Sequence, residues 1–196
     1  MFFRRKKSHS EQSDEHLFIG LSNGDTESFD ELYHRYHQRL LYYFYRMLGG
    51  DQEIAQDFLQ ELFYKIINKP HLYDSSRKFS TWVFSVAHNM CKNEYRSREI
   101  RKIVVKTENA DCYTFEEDDD RDKQQLIDAV FSHLSDFDEI HRTAFLLKYR
   151  EGLSIDEISD VLELPKGTIK SRLFYTRKKL QEKLEVQYQN TIDNVL

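Results

Sequence analysis

The sequence predicts an all-α protein built from two small helical domains. Only six glycines and two prolines interrupt its 196 residues. Apolar residues mostly recur three and four positions apart, which places them on one face of a helix, and they rarely alternate as they do in strands. Hydrophobic residues make up 39% of the chain, which is enough for a modest core in each of two domains.

The first domain is expected to contain four helices, and the first two have clear boundary signals. A short helix is expected around residues 14–21. The second begins at Asp25 or Thr26, whose side chains are common N-caps. It ends at Gly49 and Gly50, because glycine accepts the left-handed conformation that often follows a helix.

The third and fourth helices each carry an apolar stripe. Asp51 is the cap candidate of the third helix and Pro70 marks its end, while the fourth helix starts near Phe79. The stripes consist of Ile54, Phe58, Leu62 and Ile66 on the third helix and of Phe79, Val83, Val86 and Met90 on the fourth. Matching stripes on neighbouring helices predict a small bundle.

An acidic stretch separates the two predicted domains. Residues 107–122, TENADCYTFEEDDDRD, hold eight carboxylates and one arginine. Charges of one sign at this density repel one another and leave little apolar surface to bury, so a solvated linker is expected. We therefore predict a first domain over residues 10–104, a linker over 105–122 and a second domain over 123–188.

The second domain is expected to contain four helices, over about residues 123–134, 138–150, 154–162 and 165–186. In the stretch GLSIDEISDVLELPKGTIKSR, Ser154 and Glu157 form a capping box, and Pro165 suits the first turn of the next helix. Two short helices joined by a turn of three or four residues present the second helix to the major groove of DNA. The sequence therefore predicts a helix-turn-helix.

The last helix concentrates basic residues in a protein whose formal net charge is -5. Helical phasing buries its apolar stripe, namely Ile169, Leu173, Thr176 and Leu180. We predict that the outward side contacts DNA, because screening over about 8 Å keeps distant carboxylates from cancelling a local basic patch. Cations that complement the C-terminal dipole are the alternative, but they do not account for Lys166 and Lys170 at the N-terminal end. The expected contacts are Lys166, Thr168, Lys170, Ser171, Arg172, Tyr175, Arg177, Lys178 and Lys179.

Three stretches of the chain carry a family resemblance. They are GLSIDEISDVLELPKGTIKSRLFYTRKKL, AQDFLQELFYKI and KFSTWVFSVAHNMCKNEYRSR. They resemble, in that order, region 4, region 2.2 and regions 2.3 and 2.4 of bacterial sigma-70 family sigma factors of the extracytoplasmic-function type. The run at residues 167–172 is similar to the G-T-[VI]-K-S-R hallmark of region 4, which reads the promoter −35 element. The similarity spans about residues 13–186, with the acidic linker where the family has its variable linker.

The resemblance implies a protein without a catalytic site that binds core RNA polymerase, directs it to promoter DNA and helps to open that DNA. Asp57, Gln60 and Glu61 match the family's D-x-x-Q-E, which implies docking on the coiled coil of the polymerase β′ subunit. From spacing alone, a solvated acidic face would be the preferred interpretation of these residues. The resemblance also implies an anti-sigma factor as a further partner.

The resemblance further implies that the fourth helix and the loop before it, residues 73–78, bind the −10 element as single-stranded DNA with one base flipped out. Asn89 occupies the family's base-contacting position, where an amide can both donate to and accept from a base edge. An Asn89 satisfied by local backbone is the alternative. Phe79 and Trp82 match the family's F-x-x-W, but helical phasing assigns them to packing. The expected contacts are Tyr73, Lys78, His88, Asn89, Lys92 and Arg96.

Four positions depart from the family pattern. Members often have Arg at the position of His88 and Asp at that of Asn93, which leaves the specificity for the −10 element open. In the helix-turn-helix, Ser159 replaces a common Ala and Glu163 a common turn Gly. A left-handed Glu163 would be strained by roughly 1–2 kcal/mol.

Other functional classes fit the sequence less well. His34 and His37 have a usable metal-ligand spacing, but no second histidine pair, HExxH motif or Gly-rich phosphate loop occurs, so we expect neither a metal nor a cofactor nor an enzyme. The stronger competitor is a stand-alone helix-turn-helix regulator that binds duplex DNA. A wholly helical first domain with its own basic strip disfavours it.

The N-terminal stretch turns polar before a signal peptide can form and no apolar run reaches about 18 residues, so we expect a cytoplasmic protein without membrane insertion.

Overall fold

The computed structural model of the chain describes residues 8–102, 130 and 133–193. Within these residues the protein forms seven α-helices, three short 3₁₀ turns and no strand. This confirms the predicted all-α class. The predicted linker over 105–122 lies outside the described residues, and so does most of the predicted helix over 123–134, whose last residues belong to a 3₁₀ turn at His133–Asp136.

The first four helices are α1 (Asp14–Ser22), α2 (Thr26–Met47), α3 (Gln52–Asn68) and α4 (Phe79–Lys102). Their bounds lie within about two residues of the predicted ones because the boundary signals act locally. The Ser13 side chain accepts a hydrogen bond from the His16 N–H and caps α1. After α2, Gly49 takes φ 96° and Gly50 takes φ 81°, the left-handed conformation expected for this pair.

A close contact fixes α1 against the start of α2. A Cβ atom at Gly20 would lie 2.3 Å from the Ser28 Oγ, so only glycine allows this approach. Ser28 is itself buried and donates a 2.7 Å hydrogen bond to Asp25 Oδ2. Together the four helices bury an aliphatic and aromatic core that includes Leu17, Leu40, Phe44, Leu62, Val83 and Phe84.

The buried side of α3 differs from the predicted stripe. Leu62 and Ile66 are buried as expected, but Ile54 and Phe58 are only half-buried. The fully buried positions of this helix are Ala55, Leu59, Leu62, Phe63 and Ile66. The stripe is thus centred about one residue further along, because the neighbouring helices, and not spacing alone, decide which side of α3 is covered.

Three further helices are α5 (Glu139–Tyr149), α6 (Ile155–Leu162) and α7 (Lys166–Asp193). The capping box of Ser154 and Glu157 is present at the start of α6, as predicted. Glu163 ends α6 with φ 54° and ψ 40°, so the left-handed turn is made by a residue with a Cβ. Ser159 Oγ donates a 2.6 Å hydrogen bond to the Leu164 carbonyl and ties α6 to the turn.

Two compact units make up the described structure. The first contains α1 to α4 apart from Arg46–Asp51, and the second contains α5, α6 and α7 together with Arg46–Asp51. Among the described helices, none combines the length and the apolar character that crossing a membrane requires.

Candidate nucleic-acid interface

The side of α7 that is predicted to contact DNA is polar, basic and mostly exposed. Ile169, Leu173, Thr176 and Leu180 are all buried, as phasing predicted. The opposite side is polar and basic, and most of the predicted contacts on it are exposed. These exposed residues are Lys166, Lys170, Ser171, Tyr175, Arg177, Lys178 and Lys179, while Thr168 and Arg172 are half-buried.

Some cations of α7 already have intramolecular partners. Lys166 Nζ lies 2.8 Å from Asp156 Oδ2 on α6, and Lys178 Nζ lies 3.9 Å from Glu182 one turn further along α7. Lys179 lies over the Tyr175 ring, 5.0 Å from its centroid, and its interaction with the Tyr175 hydroxyl raises the pKa of the ammonium group. These exposed pairs are weak in water, so phosphate oxygens can replace them as partners.

Arg172 is half-buried and paired within the second unit, and its predicted contact with DNA stays a prediction. Its guanidinium Nη1 lies 3.2 Å from His141 Nδ1 and 3.6 Å from Asp138 Oδ2. Burial raises the pKa of Asp138, but hydrogen bonds from the backbone and side chain of His141 and the charge of Arg172 outweigh it and lower that pKa. The carboxylate is therefore ionised at neutral pH. Because His141 Nδ1 donates to Asp138, it cannot also accept from Arg172, so the ion pair with Asp138 is the polar contact that links Arg172 to the start of α5.

Phe174 is an exposed residue of this surface that sequence analysis missed. Its side chain is 64% exposed and lines an open groove together with Gly167, Lys170, Ser171 and Tyr175. A large apolar residue outside the buried stripe of an amphipathic helix is the signal that could have revealed it. Apolar side chains at such positions can contact the methyl group of thymine in the major groove.

The basic strip of α4 is exposed at three of the predicted positions. Asn89, Lys92 and Arg96 face solvent at i, i+3 and i+7 of one helical stripe. This arrangement places an amide next to two cations that follow it along the helix, which suits the bases and the backbone of a single strand.

His88 is buried beside this strip, and its predicted contact with the −10 element stays a prediction. Its side chain is 6% exposed, because one residue before Asn89 the helix has turned about 100° toward the core. Burial, aided by the charge of Lys92, lowers the pKa of His88 to about 4. The ring is therefore neutral at pH 7 and is not offered to DNA in the free protein.

The loop before α4 rests on a group of aromatic rings. Tyr73 is half-buried, and its ring centroid lies 4.7 Å from that of Phe18 and 5.1 Å from that of Trp82. Its hydroxyl donates a 2.7 Å hydrogen bond to the Arg77 carbonyl. Burial raises the pKa of Tyr73 to about 12. Phe79 and Trp82 are buried, which confirms their packing role, while Lys78 at the end of the loop is exposed. Tyr73 therefore supports the loop more than it projects from it.

The predicted docking edge of α3 is exposed. Asp57, Gln60 and Glu61 face solvent on one side of the helix, and Glu61 Oε1 lies 2.7 Å from Lys65 Nζ one turn later. An acidic edge of this kind can meet a basic partner surface.

The histidine pair of α2 has local partners. His37 Nδ1 lies 2.9 Å from the Tyr33 carbonyl, and its ring stacks on the Tyr33 ring at 5.0 Å between centroids. Within the part of the chain that the structure describes, no three His, Cys, Asp or Glu side chains are grouped to hold a metal ion.

Two family models match this chain, one over helices of the first unit and one over helices of the second. A family model of sigma-70 region 2 matches residues 32–100, and a model of sigma-70 region 4 matches residues 138–180. The ECF RNA polymerase sigma factor SigW of Bacillus subtilis is 28% identical over 174 residues, which cover 84% of this chain and 92% of that protein. The RNA polymerase sigma-H factor of Pseudomonas aeruginosa is 29% identical over 186 residues, which cover 90% of this chain and 96% of that protein.

Solved structures show the same fold at lower identity. The sigma factor RpoE of Bartonella quintana, solved in complex with the anti-sigma factor NepR, superposes with a TM-score of 0.68 at 20% identity and covers 82% of this chain and 98% of its own. CnrH, solved with the cytosolic domain of CnrY, gives a TM-score of 0.65 at 20% identity and covers 89% of this chain and 99% of its own.

Proposed function

Because the chain belongs to the sigma-70 family and is a sigma factor of the extracytoplasmic-function type, we propose that it binds core RNA polymerase and directs it to specific promoters. The observation that carries this proposal is the presence of region 2 and region 4 in that order, each with an exposed basic strip on one helix. The proposed domains are region 2 over residues 10–104 and region 4 over 123–188, joined by the acidic linker over 105–122.

The −35 element is read by α7 in this proposal. Lys170 and Arg177 are exposed beside the outward side of the helix and would neutralise phosphates, which positions the helix in the major groove. Ser171, Phe174 and Tyr175 would face the base edges from its centre. Arg172 contributes mainly by holding α7 on α5.

The −10 element is bound by α4 and the loop before it. Lys92 and Arg96 would follow the backbone of the melted strand, while the Asn89 amide would pair with the edge of a flipped base. The exposed Lys78 at the end of the loop adds a cation beside the same strand. Single-stranded DNA suits this strip, because unpaired bases expose edges that the duplex hides.

Core polymerase would be held by α3. The exposed Asp57, Gln60 and Glu61 fit a basic coiled coil of the β′ subunit, and their charge would steer association more than it adds affinity. Each DNA-binding strip spans only a few residues, so selectivity would come from presenting both strips on one enzyme. The chain would supply position and contacts, and the polymerase would supply the chemistry.

Two further properties belong to the proposal. A cytoplasmic location follows from a polymerase partner. An anti-sigma factor is a second proposed partner, since a structural neighbour was solved in complex with one.

Transcription in vitro tests the proposed function directly. Purified core RNA polymerase is incubated with a library of genomic fragments, with and without the protein, and the start sites are mapped. We expect new start sites that share two sequence elements at a fixed separation, with the −35 element upstream. Start sites that the protein leaves unchanged would refute the proposal.

The competing function, a stand-alone regulator, predicts a different result. Such a protein binds a promoter duplex tightly in the absence of core polymerase. We expect a sigma factor to bind the same fragment strongly only as holoenzyme, and a mobility-shift titration with and without core polymerase separates the two.

A further inference from the structure

A glutamate on α1 caps the start of α4. The Phe79 N–H donates a 3.0 Å hydrogen bond to Glu15 Oε1, although the two residues are 64 positions apart. The first N–H groups of a helix lack partners within the helix and need an acceptor from elsewhere. Residues 14–22 of α1 lie outside the residues that the region 2 model matches. The cap therefore joins a helix outside the region 2 model to a helix inside it.

The same helix supports the loop before α4. Phe18 follows Glu15 by about one turn and is buried. Its ring lies 4.7 Å from that of Tyr73, 5.5 Å from that of Phe79 and 5.6 Å from that of Trp82, measured between centroids. Trp82 in turn donates from Nε1 to the Leu72 carbonyl at 3.1 Å. The Phe18 ring of α1 thus packs against Tyr73, the first residue of the loop at 73–78, and against the first turn of α4.

A guanidinium on α2 fixes α1 and the segment before it. Arg35 donates from Nη1 to Asp14 Oδ1 at 2.6 Å and to the Gln12 carbonyl at 3.0 Å. Its Nη2 donates to the Ser10 carbonyl at 2.9 Å, and its Nε donates to Glu31 Oε1 at 2.7 Å. The Tyr36 hydroxyl also donates to Asp14 Oδ2. Because all five donor sites of an arginine lie in one plane, such a set fixes orientation as well as distance.

The charge of Glu15 suits its position. Burial raises the pKa of this carboxyl, but the Phe79 N–H, the Ser13 side chain and the charge of Lys78 outweigh burial and lower that pKa. The group is therefore ionised at neutral pH. A negative charge is favoured at the N-terminus of a helix by the helix dipole.

We propose that α1 is a brace that orders the −10-binding loop before DNA arrives, with Glu15 as the positioning residue and Phe18 as the support beneath Tyr73. The inference rests on the proposed function of that loop. A loop that is already ordered loses less conformational freedom on binding, and that saving appears as affinity for the melted strand. Without the brace, holoenzyme would still assemble on core polymerase and still bind the −35 duplex, but it would open the promoter less.

Two Glu15 variants and one matched control test the brace. Glu15→Ala removes the cap, Glu15→Gln keeps an oxygen acceptor but loses the charge, and Glu11→Ala removes an exposed glutamate four positions earlier. The full-length proteins are assembled with core polymerase on a promoter that the transcription experiment identifies. Three quantities are measured: core affinity, affinity for fork DNA with a duplex −35 and a single-stranded −10 element, and permanganate reactivity of the melted thymines.

Loss of a helix cap corresponds to about a fivefold change in an equilibrium constant. We expect Glu15→Ala to reduce fork affinity and melting by about fivefold and Glu15→Gln by about twofold, with core affinity unchanged. Glu11→Ala should match the wild type in all three measurements. Circular dichroism monitors folding. If Glu15→Ala fails to fold, the expected twofold loss of fork affinity in Glu15→Gln tests the proposal instead.

The outcomes separate the brace from the proposed function. If Glu15→Ala binds the fork DNA and melts the promoter as well as Glu11→Ala does, the brace is refuted. So would a parallel loss of core affinity, because that marks a general structural role. A wild-type holoenzyme that neither binds the fork nor melts the promoter would overturn the proposed function itself.

Discussion

Replacement of Gly20 by alanine tests how closely α1 packs on α2. The new Cβ would lie 2.3 Å from the Ser28 Oγ and 3.1 Å from the Ser28 Cβ. The hydroxyl cannot rotate away without loss, because it is buried and donates to Asp25 Oδ2 at 2.7 Å. The added methyl group must therefore separate the helices or break this hydrogen bond.

The expected cost follows from these two alternatives. Forcing a carbon atom into a packed contact costs about 1–3 kcal/mol, and losing a buried hydrogen bond costs about 1 kcal/mol. Gly20 lies in the last turn of α1, so the better helix propensity of alanine offsets clearly less than the ~1 kcal/mol that it is worth in a helix interior. We expect Gly20→Ala to lower the free energy of unfolding by about 1 kcal/mol, which lowers the Tm by roughly 4–8 °C for a unit of this size.

A double-mutant cycle with Ser28→Ala identifies the cause. Ser28→Ala alone should cost about 1 kcal/mol through loss of the hydrogen bond. Because it also removes the Oγ that the new methyl group meets, the double variant should be more stable than the sum of the two losses by at least about 0.5 kcal/mol. Urea unfolding followed by circular dichroism measures all four proteins. Strict additivity, or a Gly20→Ala protein as stable as the wild type, would refute the contact.

Three other predictions concern single surface features. Glu163→Gly should raise the Tm, because about 1–2 kcal/mol of left-handed strain exceeds the entropic cost of glycine; Glu163→Ala keeps the Cβ, and an equal gain from it would contradict this cause. Lys170→Ala should reduce the slope of log binding constant against log salt concentration by about 0.9 for holoenzyme on a −35 duplex. Arg172→Ala should mainly lower the Tm, and a larger slope change for it than for Lys170→Ala would reverse these roles. Asp57→Lys should abolish assembly with core polymerase in a pull-down while the circular dichroism spectrum stays unchanged. Gln56→Lys is the exposed control on the same helix, and normal assembly of Asp57→Lys would refute the proposed docking on α3.

Helix boundaries were predictable because their signals are local. Ser154 and Glu157 form their capping box from four consecutive residues, so the start of α6 needs no information from the rest of the fold. The left-handed Glu163 was predictable for a similar reason, since it fills a turn position of a recognised motif. The two strips on α4 and α7 follow from helical phasing together with the apolar stripe of each helix.

Side-chain environments within one turn were less predictable. His88 and Asn89 are adjacent, yet one is buried and the other exposed, because the neighbouring helices cover one side of α4 and leave the other open. Arg172 has the same phase relative to the buried stripe as other flanking cations of α7, but its partners come from α5. Phasing gives the direction of a side chain, and only the packed structure gives the group that it meets.

The start of α7 shows how DNA binding and helix stability oppose each other. Lys166 and Lys170 put positive charge at a helix N-terminus, where the dipole disfavours each cation by about 0.3–1 kcal/mol. Asp156 lies 2.8 Å from Lys166 and offsets part of this cost in the free protein. A DNA phosphate that displaces Asp156 would supply a stronger acceptor to Lys166 and would also be favoured by the N-terminal N–H groups. The charges that weaken the isolated helix are thus the ones that a phosphate would stabilise, which is expected of a binding surface. The pairing with Asp156 accounts for Lys166 within the fold, whereas the helix dipole gives no reason for a second cation at Lys170.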